Sequence, residues 1–272
     1  PVVRRADGSW LYLLPSVIDD IDMGVTHVLR GEDHVSNTAV QLQMFQALGA
    51  PPPCFAHEAL LVGSEGKLSK RLGSLGVETM QAEGIEPAAL AAKLARIGTS
   101  LPVEPFADMA PLIAGFDPTT FGRAPARFDM EELKSLNARI VHQLPFAAVA
   151  ARLPAGMGEA DWLALRANLR SVAEAADWWA ILHGHVEQPA APEDRASLSH
   201  AAEAAAAIDW RADPWRQLTA ELKAASGRTG KALFLPLRRA LTGRESGPEM
   251  AALLPLIGRE EAIARLHAAA RD

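Results

Sequence analysis

Eight consecutive residues, Gly66-Lys67-Leu68-Ser69-Lys70-Arg71-Leu72-Gly73, set three cations within five positions between two glycines. Lysines in such a stretch meet a polyphosphate as point charges, and Arg71 meets it as a planar fork. A solvated surface loop carrying a few lysines has the same composition. What precedes the stretch bears on the choice. The apolar run Ala59-Leu60-Leu61-Val62 stops at Gly63 and reads as a buried strand. Gly63-Ser64-Glu65-Gly66 reads as a turn. The cations then fall on a loop at a strand end, where α/β folds bind ligands.

A second group lies upstream. Arg30 ends Val25-Thr26-His27-Val28-Leu29, an apolar and β-branched run read as another buried strand and stopped by Gly31. A buried arginine needs a partner. Asp20, Glu32 or Asp33 could form a structural bridge with it. Alternatively its guanidinium is kept for a substrate carboxylate, held by two parallel hydrogen bonds. Tyr12 could give its hydroxyl to the same substrate, or fill core space with the hydroxyl at the rim. His27 and His57 have no metal-ligand spacing and read as packed or surface histidines. Cys54 is the single cysteine, which excludes an internal disulfide and a cysteine-based zinc site.

The elements that must position these groups follow from the pattern. Val2-Val3-Arg4-Arg5, Asp7-Gly8 and the run 9–14 predict a hairpin. Ser36-Asn37-Thr38 offers caps for a helix carrying Ala39, Leu42, Phe45 and Leu48, stopped at Gly49. Strand, helix, strand and ligand loop make half of a doubly wound nucleotide-binding sheet, with too few strands to close one. The opening at Pro1, in mid-sheet, leads us to expect a missing N-terminal piece. From Val77 the pattern turns helical. Glu86-Pro87 opens one helix, Asp129 caps another bearing Leu133, Leu136 and Ile140, and seven more are expected between 162 and 270.

The predicted fold class is therefore α/β followed by all-α. Boundaries are expected after 76 and 144, giving segments 1–76, 77–144 and 145–272. The chain has 272 residues, 49% of them hydrophobic, which is enough for packed cores and against wholesale disorder. A net charge of −6 excludes a protein that coats nucleic acid indiscriminately, so any RNA contact must use local basic patches. No apolar run approaches the ~20 residues of a membrane span and no signal peptide opens the chain, so no membrane partner and a cytoplasmic setting are expected.

Taken together the motifs resemble a known family. Leu29-Arg30-Gly31-Glu32-Asp33-His34, then Phe55-Ala56-His57, then Lys67-Leu68-Ser69-Lys70-Arg71 are similar to the bacterial glutamyl-tRNA synthetases of class I. The last stretch matches the second class I signature, usually written KMSKS. Asp7-Gly8, Tyr12, Asp19-Asp20 and Gly24-Val25-Thr26-His27-Val28 fall in the same order. The likeness continues through 124–129, Leu136-Asn137, 229–238 and Ala240-Leu241-Thr242-Gly243, so it spans nearly the whole chain. Ser16 stands where family members often have Asn, and His34 where they often have an aromatic residue. The first class I signature, His-Ile-Gly-His or similar, is nowhere in the sequence.

The resemblance implies a partial Rossmann-like catalytic domain, the second half of one, over 1–76. A helical stem-contact domain over 77–144 and a helical anticodon-binding domain over 145–272 would follow. It implies condensation of glutamate with ATP and transfer of the glutamyl group to tRNA(Glu), with the isolated chain incomplete and inactive. Lys70 would stabilise the phosphates, with Lys67 and Ser69 shaping the loop. Tyr12, Ser16 and Arg30 would bind glutamate. Asp33 and His34 would lie at the nucleotide, with Leu60 and Leu61 toward the adenine. Magnesium would accompany ATP, with no protein-held metal. Arg123, Arg127, Lys134, Arg139, Lys231 and Arg238 would contact tRNA phosphates. A monomer is expected. Two alternatives remain: a non-catalytic tRNA-binding module, and a glutaminyl-tRNA synthetase, which shares the Arg-Gly-Glu-Asp region.

Overall fold

The computed structural model of the chain describes residues 2–63, 66–67, 76–106, 108–186 and 189–271. They form two compact units, one of Pro1–Thr79 with Leu90–Leu133 and one of Met80–Ala89 with Lys134–Asp272. The first opens with α1 (Leu13–Asp22), β1 (His27–Gly31), α2 (Val35–Ala47), β2 (Cys54–Glu58), β3 (Leu61–Gly63) and β4 (Gly66–Lys67). Next come α3 (Val77–Ala82), α4 (Pro87–Leu94), α5 (Ala110–Ala114), β5 (Ala126–Arg127) and α6 (Met130–Val141). The remainder is helical: α7 (Phe146–Val149), α8 (Glu159–Leu165), α9 (Ala175–His183), α10 (Pro192–Ala207), α11 (Pro214–Ser226), α12 (Lys231–Thr242), α13 (Met250–Ile257) and α14 (Arg259–Ala270).

In the first unit β1 and β2 pair in parallel, from His27 opposite Cys54 to Gly31 opposite Glu58. A parallel pair needs a crossover, and α2 supplies it. Val17 of α1 packs with Met44 and Phe45 of α2, and Leu13, Leu14, Ile21, Val40 and Phe55 close around them. A second sheet runs β4-β3-β5. Its β3 is antiparallel to β4, with Val62 opposite Lys67 and Gly63 opposite Gly66. It is parallel to β5, with Val62 opposite Arg127. The turn expected at 63–66 contains residues 64–65, which lie outside the described ones.

Four local expectations are corrected. The N-terminal hairpin reduces to one antiparallel bridge between Arg4 and Trp10, and Leu13 and Leu14 open α1 instead. On a helix both leucines reach the Val17 cluster, whereas a strand would send them to opposite faces. The strand expected at 25–30 is β1, whose residues are exposed or half-buried, Leu29 at 54%. Among the described residues β1 pairs only with β2, and two strands cannot bury a sheet. The strand expected at 59–62 is the half-buried β3, and it carries Lys67 on its partner β4 rather than on the loop. Ser36, Asn37 and Thr38 lie inside α2, not at its cap, because a 3-10 turn at Glu32–His34 starts the helical path earlier.

The second unit is built around buried polar anchors as well as apolar faces. Ala201, Ala202, Ala204 and Ala205 of α10 are buried, as are Ala262, Leu266 and Ala269 of α14. The alanines let the two helices approach closely. Trp162, fully buried, donates Nε1–H to the Leu144 carbonyl at 2.9 Å. Arg265 of α14 is only 2% exposed. It donates to the carbonyls of Leu241 (2.7 Å), Leu182 (3.2 Å) and Gly184 (2.8 Å), which end α12 and α9. Among the described residues no helix is long and apolar enough to cross a membrane.

Candidate active site

The site in the first unit grows from the end of β1. Arg30 stands opposite His57 of β2, and α2 starts five residues later, so Thr38 and Gln41, three positions apart on α2, reach back to the strand end. Arg30 Nη2 donates to Thr38 Oγ1 at 2.5 Å and to Gln41 Oε1 at 2.7 Å. Thr38 Oγ1 also lies 2.8 Å from His57 Nε2 and donates toward the His34 carbonyl at 3.2 Å. Gln41 Nε2 donates to Ser16 Oγ at 3.4 Å. Asn37 Nδ2 meets His34 Nδ1 at 3.1 Å, and the Tyr12 ring stands edge-on to the His34 ring at 6.3 Å. The guanidinium carbon sits 5.1 Å from the Phe55 ring centre.

No carboxylate pairs with Arg30 among the described residues, so the bridge to Asp20, Glu32 or Asp33 is not formed. Its partners are neutral, and its Nε is buried without an acceptor. A neutral hydroxyl and amide hold the guanidinium plane without cancelling its charge. Such a group can take an anion in the partly desolvated end of a sheet, where the interaction exceeds its strength in water. Gly31 matters for its missing side chain: a Cβ there would lie 2.6 Å from Asp33 Oδ1 and 3.1 Å from Leu60 Cδ2. Those two residues therefore close over the backbone beside Arg30.

Of the residues singled out in the sequence, Tyr12, Ser16, Arg30 and His34 are joined in this network, and Asp33 and Leu60 flank it. Leu61 is the first residue of β3, opposite Ala126, and Lys67 ends β4. Ser69, Lys70 and Arg71 lie outside the described residues. Thr38, Gln41 and His57 were not expected to take part. No local signal in the sequence singles out Thr38 and Gln41, whose burial follows from the fold.

The cations considered for RNA differ in setting. Arg123, Arg127, Arg139 and Lys231 are exposed. Lys134 forms an ion pair with Glu83 at 3.5 Å. Both line a cleft of about 320 Å³ in the second unit, together with Ile85, Asn137, Arg170 and Glu174. Arg238 is half-buried, donates to the Pro248 carbonyl at 3.0 Å, and has its pKa pushed down by burial.

Comparison with known proteins adds two family matches. Residues 1–135 match the catalytic domain of class I tRNA synthetases (E and Q), and residues 168–270 match an anticodon binding domain. The chain is 72% identical over 270 residues to glutamate–tRNA ligase 1 of Rhizorhabdus wittichii, covering 99% of this chain and 61% of that protein. It is 67% identical over 271 residues to glutamate–tRNA ligase 2 of Sphingopyxis alaskensis, covering 99% and 62%. A solved glutamate tRNA ligase from Elizabethkingia meningosepticum, in complex with its amino acid, superposes with a TM-score of 0.80 at 25% identity. That comparison covers 99% of this chain and 61% of the other. The chain thus spans about 61% of the length of the curated relatives it matches.

Proposed function

This chain belongs to the class I glutamyl-tRNA synthetase family, and from that premise we propose that it is part of a glutamate–tRNA ligase. The reaction has two steps. A carboxylate oxygen of glutamate attacks the α-phosphorus of ATP and pyrophosphate leaves. The 3′-terminal ribose hydroxyl of tRNA(Glu) then attacks the activated carbonyl and AMP leaves. Neither step needs a protein nucleophile, so positioning and charge neutralisation carry the catalysis.

The observation that carries the assignment is the guanidinium of Arg30, partnered among the described residues only by neutral groups and bordered by Ser16, Tyr12 and His34. Glutamate supplies the anion that this arrangement lacks. Asp33, His34 and the backbone at Leu60 and Leu61 would meet ATP, which enters with magnesium as a substrate. Lys67, Ser69 and Lys70 would serve the phosphates. Residues 1–76 would then be the catalytic portion, 77–144 the stem contact and 145–272 the anticodon-binding portion. Arg123, Arg127, Lys134, Arg139, Lys231 and Arg238 are the candidate phosphate contacts for tRNA. Tie to translation puts the activity in the cytoplasm. The catalytic family match covers glutamate and glutamine enzymes alike, and the relatives' names favour glutamate.

The test is glutamate-dependent ATP–pyrophosphate exchange and tRNA charging by a polypeptide of the relatives' full length that contains this chain. Charging with glutamate is expected, and charging with glutamine instead, or with neither, would overturn the assignment. The 272 residues alone lack the first class I signature and are expected to give no exchange.

A further inference from the structure

We propose that Gln41 is a positioning residue that makes the site choose a carboxylate side chain over a carboxamide; this rests on the glutamate-ligase assignment and deepens it. The basis is hydrogen polarity. A guanidinium has five donors and no acceptor. One end of the Gln41 amide lies 2.7 Å from Arg30 Nη2, so that end must be its oxygen. The amide nitrogen therefore faces Ser16 Oγ at 3.4 Å, and the serine oxygen must accept. Gln41 is 1% exposed, so water offers the amide no other arrangement.

A serine hydroxyl has one proton. With one lone pair accepting from Gln41, the serine keeps that proton and a second lone pair. On the other side, Thr38 and Gln41 occupy both hydrogens of Arg30 Nη2. Arg30 Nη1 has no partner among the described residues. What the network leaves for a ligand at Arg30 is thus guanidinium donors alone, uncancelled because Gln41 is a neutral amide, while Ser16 can give its proton or take one. Two carboxylate oxygens accept from both. A carboxamide has one accepting oxygen, and its NH₂ would be set against a donor. Sites that leave a buried polar group unmatched reject the wrong analogue strongly.

The discriminating measurement is the ratio of kcat/KM for glutamate to that for glutamine, by ATP–pyrophosphate exchange, in the full-length polypeptide that contains these residues. Gln41→Glu keeps the shape but replaces the inward donor with an acceptor. Ser16 then donates to residue 41, and Arg30 gains an internal counter-charge. The ratio is expected to fall by about 100-fold or more. Gln41→Met keeps volume and removes polarity, and about a tenfold fall is expected. A purely structural lesion would lower both amino acids in parallel and leave the ratio alone. If either Gln41 variant fails to fold, Ser16→Ala removes the acceptor that holds the Gln41 amide and is expected to narrow the ratio in the same direction. An unchanged ratio in a folded Gln41→Glu protein, with glutamate activated normally by the wild type, overturns this inference alone. A wild-type protein that activates neither amino acid overturns the ligase assignment, and this inference with it.

Discussion

The side-chain oxygen of Asn137 accepts the backbone N–H of Glu86 at 2.7 Å, and the same amide donates to the carbonyls of Gly84 at 3.1 Å and Arg170 at 2.8 Å. One buried side chain thus joins three stretches of the second unit that are far apart in sequence. Asn137→Leu would leave one donor and two acceptors unmatched. A loss of about 3 kcal/mol is expected, read from the midpoint of urea unfolding.

Arg265 plays a comparable part at the other end of that unit. It closes the carbonyl ends of two helices and receives its charge balance from Glu261, 2.7 Å away on the same face of α14. Arg265→Met is expected to cost about 3–5 kcal/mol, because Glu261 and the carbonyls lose their donor together. Arg265→Lys should recover only a fraction, since an ammonium cannot reach several carbonyls in one plane. Thermal unfolding of both variants checks the order.

Arg30 should behave differently from these anchors. Its partners are neutral and an ammonium can still donate to Thr38 or Gln41, so Arg30→Lys is expected to lower the melting temperature far less than Arg265→Met. The KM for glutamate in the full-length ligase should rise about 100-fold, as the planar fork is lost while the charge is kept. A KM within a few-fold of wild type would contradict the proposed role.

Glu245 gives a pH signature. The hydrogen bond from Arg239 and then the Arg239 charge hold its carboxyl below the ordinary 4.5. A folded-state value below the unfolded one adds stability above the ordinary carboxylate range, and that stability is lost as pH falls through the lowered value. The difference in melting temperature between wild type and Glu245→Gln should be small, steady from about pH 7 to about pH 5, and should close at lower pH.

Much of the helical part is legible in the sequence because independent signals agree there. Asp129 accepts the first-turn N–H groups of α6, and Leu133, Leu136 and Ile140 recur on one buried face of that helix. The hairpin expected over 2–14 gives way to α1 because Leu13 and Leu14 suit a strand as well as a helix until Val17, Met44 and Phe45 give them a common face. Arg30 is recognisable as a charge at the end of an apolar run. Thr38 and Gln41 are not, because nothing local tells a polar helix residue that faces solvent from one that faces an arginine eight or eleven positions back.

Val62 has Lys67 on one side and Arg127 on the other. That single residue works as a shared rung. Residues 126–127 cannot slide along their axis and leave 66–67 behind without tearing the ladder between them. A nucleic-acid strand pulling on Arg127 would tug the start of the basic segment in lockstep.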